Sequence, residues 1–160
     1  MPTLAELMAT LPQEGTVEWI GIRPARREPL VSVESVGAST GDGLAGDRYG
    51  KAGGDRQVTL IQAEHLEAVG SMLGRGPVDP GDARRNIVVR GLNLLALKDK
   101  EFQVGDALLR YTGLCVPCSF MEETFGPGGY NAMRGHGGIT ATVIDDGDIQ
   151  VGATVKAVTQ

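Results

Sequence analysis

Short stretches in which apolar and polar residues alternate recur along most of the chain. Such alternation is typical of antiparallel strands that bury one face against a core. The β-prone segments are TVEWIGIRP, LVSVESVG, RQVTLI, NIVVRG, EFQVGD, ALLRYTG, GITATVIDDG and DIQVGATVKAV. Asp146 and Gly147 lie between the last two segments, and an Asp-Gly pair in that position predicts a hairpin.

Helical periodicity is confined to three segments. Apolar residues recur at i, i+3 and i+4 in TLAELMATL near the N-terminus and in residues 62–73, and SFMEETF has room for one or two turns. The regular strand-helix alternation of a parallel sheet is missing, and the 24 glycines follow no fixed period. We therefore predict a mainly β protein, an antiparallel β-barrel-like domain with a few peripheral helices.

Composition narrows the function classes. A length of 160 residues fits one compact domain. The net charge of -5 and the aromatic content of 4% argue against a nucleic-acid partner, which needs basic surface and stacking platforms. The N-terminal residues do not form a signal peptide, and no apolar run approaches the length of a membrane span, so we expect a cytoplasmic protein without a membrane partner.

A glycine-rich stretch over residues 41–56 contains the pattern G-x-G-x-x-G. A dinucleotide site requires a helix directly after this pattern, whereas more glycine and charge follow here. A P-loop is excluded because Ala52 stands where a Ser or Thr must meet magnesium. Two interpretations remain open. Either a flexible loop surrounds an anion with Arg48, Lys51 and Arg56, or the loop is merely solvated.

Polar residues precede the β-prone run NIVVRG. On an extended chain Arg84 and Asn86 share one face, and Arg85 takes the other. The pair is either a ligand clamp or a solvated sheet edge. In GPGGYNAMRGHGG, His136 is a candidate for proton transfer and Arg134 for anion binding, with a plain turn as the alternative.

The only two cysteines stand in GLCVPCSF, between a β-prone and a helix-prone segment. A helix that begins there would favour the thiolate form of Cys118. A structural zinc site needs four ligands, and only the scattered His65 and His136 are available to complete it. A thioredoxin-like dithiol expects a neighbouring βαβ unit, which the pattern lacks. A single reactive thiol and simple core packing remain as equal alternatives.

Five segments together resemble the MOSC domain, named for the C-terminal part of molybdenum cofactor sulfurase. They are GLAGDRYG, RQVTLIQAEHL, RRNIVVRGLNLLAL, FQVGDALLRYTGLCVPCSF and MRGHGGITATVIDDGDIQVGATV, in the family's order. The resemblance covers nearly the whole chain from about Gly15, and it is closest to the stand-alone bacterial type. It implies a barrel-like fold for a MOSC domain over residues 15–160, preceded by a helical extension over residues 1–14.

The resemblance also implies a site. Pro117 and Cys118 match the family's Pro-Cys pair, in which the cysteine is proposed to carry sulfur or to ligate molybdenum. Cys115 falls where many relatives have another residue. Taken together with the residue patterns above, which supply His136, Arg56 and Arg134, the catalytic candidates are Cys118, Cys115 and His136, with Cys118 also the candidate metal ligand. The candidate residues for binding the anionic cofactor are Arg48, Arg56, Arg84, Asn86 and Arg134.

The function implied by the resemblance is binding of the molybdenum cofactor, molybdopterin, and reduction of N-hydroxylated compounds with electrons from a partner protein. The alternative is a carrier that holds sulfur or cofactor for delivery. Pyridoxal phosphate is not expected on this chain, so a separate pyridoxal-phosphate-dependent cysteine desulfurase would have to supply sulfur. A zinc or redox domain, which would depend equally on both cysteines, is a third possibility.

Overall fold

The computed structural model describes residues 1–158. Within that range the strands are β1 (Gly15–Ile22), β2 (Val31–Val33), β3 (Ser35–Ser39), β4 (Gly43–Leu44), β5 (Val58–Gln62), β6 (Ile87–Arg90), β7 (Glu101–Val104), β8 (Ala107–Leu114), β9 (Ile139–Asp145), β10 (Gly147–Gln150) and β11 (Thr154–Ala157). The helices are α1 (Leu4–Ala9), α2 (Ala63–Met72), α3 (Pro80–Ala83), α4 (Ser119–Phe125) and α5 (Gly129–Met133), with a 3₁₀ helix over Leu94–Leu97.

Seven strands close into a barrel. They follow the order β1, β6, β5, β9, β8, β7 and β11, and β11 pairs again with β1. The predicted mainly β, barrel-like fold is thereby confirmed. One pairing differs from the expected antiparallel pattern, because β5 and β6 run parallel and α2 lies in the connection between them. A parallel pair needs such a crossover, since a short turn cannot return the chain in the same direction.

The core has two parts, which meet at β5 and β6. Leu60 and Ile87 belong to the cluster of apolar side chains inside the barrel. Their neighbours Ile61 and Val88 belong to a second cluster, which the helices complete with residues such as Met121. Successive side chains of a strand point to opposite faces, so these two strands are buried on both sides. The helix layer fixes α4, and hence the segment that carries the cysteines, against the barrel.

The predicted hairpin at Asp146 and Gly147 is wrong. Strand β10 pairs with β3 in a separate sheet of order β10, β3, β4, and it does not pair with β9. A Cβ atom at Gly147 would collide with the backbone of Asp106, so glycine here permits a close chain crossing. The buried Ile149 then joins the barrel core. The Asp-Gly pair therefore turns the chain out of one sheet and into another.

The glycine-rich stretch over residues 41–56 is anchored rather than free. Its residues Gly43 and Leu44 form β4 against β3, and Leu44 is fully buried. Further along, the side chain of Gln57 donates hydrogen bonds to the carbonyls of Thr40 and Lys51. The backbone of the stretch is thus held at several points, so the positions from which its arginine side chains extend are fixed.

No helix within residues 1–158 is long and apolar enough to cross a membrane.

Candidate functional site

A cleft of about 320 Å³ lies where the chain leaves β1, approaches β5 and β6, and enters α4. Twelve residues line it, namely Arg23, Arg26, Arg27, Arg48, Tyr49, Arg56, Arg84, Arg85, Cys118, Ser119, Phe120 and Met121. Seven of these are arginines and none is acidic. We call it the arginine cleft. In a chain of net charge -5, this is a strong local concentration of positive charge.

Most of this charge is not neutralised by the protein. Arg23 pairs with Asp47 and Arg27 with the exposed Glu123. The other five arginines of the cleft have no carboxylate partner within residues 1–158. Burial, with the charges of Arg23 and Arg48, lowers the pKa of Arg84 from its ordinary value. An arginine surrounded by like charge favours an anionic ligand, because the ligand removes the repulsion.

Two aromatic rings hold the guanidinium groups in place. The ring of Tyr49 lies 4.4 Å from Cζ of Arg23 and 4.7 Å from Cζ of Arg48. The ring of Phe120 is similarly flanked, by Arg27 at 5.1 Å and Arg84 at 5.6 Å. The negative face of an aromatic ring attracts a cation, so each ring stabilises two arginines that would otherwise repel. These rings stabilise the positions of Arg48 and Arg84, which have no carboxylate partner within residues 1–158.

A buried polar network supports one wall. Asp47 accepts hydrogen bonds from the backbone N, Nε and Nη2 of Arg23, at 2.7, 3.1 and 3.0 Å. The side-chain oxygen of Asn86 accepts from Arg23 Nη2 at 2.9 Å and from Thr59, while its amide nitrogen donates to Asp47 and Gly21. Every side-chain atom of Asn86 that can form a hydrogen bond does so. Asn86 thus fixes Arg23 from behind the cleft.

Cys118 is an exposed free thiol at the cleft. It is the N-cap residue of α4, and its carbonyl accepts from the backbone N of Met121 at 3.0 Å. Its side chain makes no capping hydrogen bond, which leaves the sulfur available. The guanidinium groups beside this thiol make its environment electropositive, and reactive cysteines in proteins lie in environments of this kind.

Cys115 is buried, and its sulfur lies 3.9 Å from Nη2 of Arg56. The backbone around it is held by Arg85, which donates to the carbonyls of Cys115 at 3.3 Å, Gly137 at 2.8 Å and Ala83 at 2.9 Å. Burial lowers the pKa of Arg85, and nearby Arg56 acts in the same direction. A Cβ atom at Gly137 would collide with the Cys115 carbonyl, so glycine is required for this approach. Arg85 therefore positions the segment that leads into Cys118.

The structure brings four of the predicted site residues together. Cys118, Arg48, Arg56 and Arg84 all line the arginine cleft, and Cys115 lies directly behind Arg56. Their proposed roles stay predictions.

Three other candidates lie elsewhere. Asn86 is buried in the supporting network. Arg134 is exposed at the end of α5 and donates to Asn131 at 3.2 Å. His136 packs edge-to-face on His65, with ring centroids 5.0 Å apart, and does not line the cleft. None of these three side chains reaches the cleft surface, because each is bound to its own local partners.

Seven residues of the cleft were not singled out from the sequence, and three of them, Ser119, Phe120 and Met121, lie in the segment SFMEETF, where only a helix was predicted. Arg23, Arg26 and Arg27 come from the run RPARR directly after β1, and Tyr49 follows Arg48. Three arginines within five residues are a visible signal, but only the fold shows that they converge with Arg84 and Cys118. Within residues 1–158 no group of three His, Cys, Asp or Glu side chains is arranged to hold a metal ion.

Comparisons with known proteins agree with this architecture. The family model described as the MOSC domain matches residues 44–156. That range includes both cysteines and four of the cleft arginines, while Arg23, Arg26 and Arg27 precede it. A search of curated proteins gives no match.

Several solved structures share the fold. The YuaD protein from Bacillus subtilis superimposes with a TM-score of 0.77 at 15% identity, covering 92% of this chain and 98% of that one. YiiM from Geobacillus stearothermophilus gives 0.70 at 20% identity, covering 90% and 75% of the two chains. YiiM from Escherichia coli gives 0.69 at 19% identity, covering 91% and 70%. At these identities the likeness establishes the fold alone.

Proposed function

This chain belongs to the MOSC domain family, and from that premise we propose that it binds the molybdenum cofactor in the arginine cleft. The observation that carries the proposal is the position of an exposed thiol, Cys118, among seven arginines. The cofactor combines a phosphate-bearing pterin with a sulfur-coordinated metal. The positive charge of the cleft suits the phosphate of the cofactor, and the thiol, a soft ligand, suits its metal.

The residues present fit this group. Cys118 would hold the metal as the protein's sulfur ligand, since thiolate suits soft, sulfur-rich centres and its sulfur is accessible. Arg48, Arg56 and Arg84 would hold the anionic pterin, because planar guanidinium groups bind phosphate oxygens through paired hydrogen bonds. The absence of a three-ligand protein cluster within residues 1–158 is compatible with a cofactor that brings its own sulfur ligands. When bound, the cofactor supplies a metal that exchanges electrons with a substrate.

We further propose that the reaction is the reduction of an N-hydroxylated compound. Cleavage of the N–O bond consumes two electrons and two protons and yields an amine and water. The electrons must come from a partner protein. The residues that line the arginine cleft would orient the reactants. Tyr49 and Phe120 contribute by fixing the positions of the guanidinium groups around the Cys118 thiol.

A second candidate function is sulfur delivery, which the exposure of Cys118 favours. In that reaction a persulfide on a separate cysteine desulfurase transfers its outer sulfur to the Cys118 thiol. The desulfurase thiol is released, and Cys118 becomes the persulfide. Such an exchange requires a sulfur that another protein can reach, as Cys118 is and the buried Cys115 is not.

Metal analysis of purified protein tests the first proposal. Molybdenum and zinc are measured in protein from cofactor-competent and cofactor-deficient hosts, for wild type, Cys118→Ser and the matched control Cys115→Ser. We expect molybdenum only from the competent host and its loss in Cys118→Ser, with retention in Cys115→Ser. No molybdenum in any sample, with a persulfide on Cys118 detected by mass spectrometry, would favour the carrier. Zinc lost on replacing either cysteine would contradict both.

The role of the arginines needs a separate variant. Arg48→Met with Arg56→Met removes two charges from the cleft and leaves the Asp47 network intact. We expect this double variant to lose the cofactor despite retaining Cys118. The control is Arg134→Met, which removes an arginine outside the cleft and should retain molybdenum.

A further inference from the structure

A second cavity, of about 290 Å³, adjoins the arginine cleft. Arg27, Arg84 and Phe120 line both, so the two cavities share a wall. The second cavity is also lined by two acidic residues, Asp79 and Asp82, whereas the cleft has none. We call it the outer cavity. Side chains of opposite charge thus border one small space next to the arginine cleft.

The basic side of the outer cavity consists of the two arginines that flank the Phe120 ring. Arg84 donates one hydrogen bond to the carbonyl of Glu28, at 2.8 Å. Arg27 pairs with Glu123 at 3.4 Å, but these side chains are 61% and 60% exposed, and an ion pair so exposed contributes little free energy. Both guanidinium groups therefore remain available to a carboxylate, which they bind through charge-assisted hydrogen bonds.

The acidic side consists of Asp79 and Asp82, which are exposed. Asp79 is the N-cap residue of α3, and its Oδ1 accepts a hydrogen bond from the backbone N of Gly81 at 2.7 Å. Asp82 lies in the first turn of the same helix. Within residues 1–158 neither carboxylate forms an ion pair, although two arginines line the same cavity. The positive and negative groups are therefore too far apart to neutralise each other.

The rest of the lining is largely apolar, since it includes Pro29, Leu30 and the Phe120 ring. Leu30 and Phe120 are half-buried, so this surface is partly shielded from water. The volume lies just below the range of roughly 300–1,000 Å³ for ligand pockets, which limits the occupant to a small molecule. A ligand with one charge would be attracted by one side of the cavity and repelled by the other. A small zwitterion with a short hydrocarbon part matches all three surfaces.

We propose that the outer cavity binds the zwitterionic end of a small molecule of the α-amino acid class. The carboxylate of the ligand lies at the two arginines, and its ammonium group lies at the two aspartates. Its hydrocarbon chain runs along the shared Phe120 ring towards Cys118, which stands two residues earlier in the chain. Under the proposed function, on which this last step rests, the substrate carries its N–O bond at one end and a zwitterionic group at the other.

Titration of the isotope-labelled full chain with L-norleucine at pH 7.5, followed by amide NMR, tests the site. The protein comes from the cofactor-deficient host. We expect saturable shifts that include the amides of Gly81 and Thr124, which line the outer cavity. Hexanoate lacks the ammonium group of norleucine, and pentylamine lacks its carboxylate. Each should bind at least about tenfold more weakly than norleucine, equivalent to about 1.4 kcal/mol.

Two variants separate the two sides of the cavity. Asp82→Asn removes one negative charge and should weaken norleucine at least about tenfold without weakening hexanoate. Arg27→Gln should weaken both ligands, because both carry a carboxylate. The matched control is Asp148→Asn, which removes the same charge as Asp82→Asn from an exposed position on β10, outside the cavity. It should leave the binding of both ligands unchanged.

Other outcomes would overturn the proposal in distinguishable ways. The absence of saturable shifts in wild type, or shifts confined to the arginine cleft, would eliminate the outer cavity as the site. Equal binding of norleucine and hexanoate, or norleucine binding that survives Asp82→Asn, would show that the acidic side has no role. Failure of the proposed function is seen separately, because the titration requires no molybdenum and the metal analysis requires no amino acid. Thermal melting of each variant verifies that it is folded.

Discussion

Oδ2 of Asp47 lies 3.0 Å from Nη2 of Arg23, and these side chains are 0% and 5% exposed respectively. The ion pair sits behind the arginine cleft and fixes one of its arginines. The motif GLAGDRYG therefore combines two roles, since Asp47 is structural while the next residue, Arg48, lines the cleft. Removal of one partner from a buried ion pair leaves the other charge without compensation.

We predict that Asp47→Ala lowers the free energy of unfolding by about 3–5 kcal/mol. The variant loses all the hydrogen bonds that Arg23 and Asn86 make to this carboxylate. The measurement is urea unfolding at pH 7.5, with the exposed Asp42→Ala as the matched control from the same stretch. If both variants change stability by less than about 1 kcal/mol, the network does not hold the cleft wall as we describe.

Arg85 and Arg84 are adjacent in sequence but differ in burial, which permits a direct comparison. We predict that Arg85→Met lowers the free energy of unfolding by about 1–3 kcal/mol, because three carbonyls lose their donor. Arg84→Met, at a half-buried position, loses one hydrogen bond to the carbonyl of Glu28 and the contact of its guanidinium with the Phe120 ring, and should change it by less than about 1 kcal/mol. Urea unfolding measures both.

Comparison of the Arg84 and Arg85 variants also shows whether Arg85 positions the cysteine segment or only stabilises the fold. Arg85 holds the Cys115 carbonyl, so its loss should also expose the Cys115 thiol. In a Cys118→Ser background, reaction with a disulfide reagent should accelerate in Arg85→Met and stay unchanged in Arg84→Met. Equal acceleration in both would mean that Arg85 has no special contact with the cysteine segment.

The two cysteines should differ in reactivity. Cys118 is exposed, whereas Cys115 is buried and its thiol becomes accessible only when the segment opens. We predict that the native protein reacts with a disulfide reagent in two phases, the slower by about tenfold or more. Cys118→Ser should remove the fast phase and Cys115→Ser the slow one. A single fast phase for two thiols would contradict the burial of Cys115.

Much of the barrel follows from local pattern. Each β-prone segment read from the sequence contains at least one strand, because alternation reports directly on a half-buried face. Strand β4 was missed since two residues are too few to show a period. The closing pair of β1 with β11 joins the two ends of the barrel, and no local pattern encodes such a distant contact.

The candidate site was less predictable for a related reason. Cys118, Arg48 and Arg84 stand out by residue type and motif, and the fold brings them together. Asn86 also stands out by residue type and motif, but its side chain points into the protein. There its amide group forms hydrogen bonds with Arg23 and with the backbone of two strands. Burial distinguishes a ligand-facing polar residue from a supporting one, and burial depends on contacts between distant segments.

His65 should make stability depend on pH. Burial and the proximity of His136 lower the pKa of His65 in the folded protein below the ordinary value of 6.5. The unfolded chain therefore binds more protons than the folded one as pH falls through 6.5, so stability decreases on acidification and the loss is complete below the folded-state pKa. We predict that urea unfolding at pH 7.5 and 5.5 shows this decrease in wild type and a smaller one in His65→Gln. Glu64→Gln, which alters the neighbouring carboxyl, should keep the decrease. An identical pH dependence in wild type and His65→Gln would show that this imidazole takes up a proton equally well in both states.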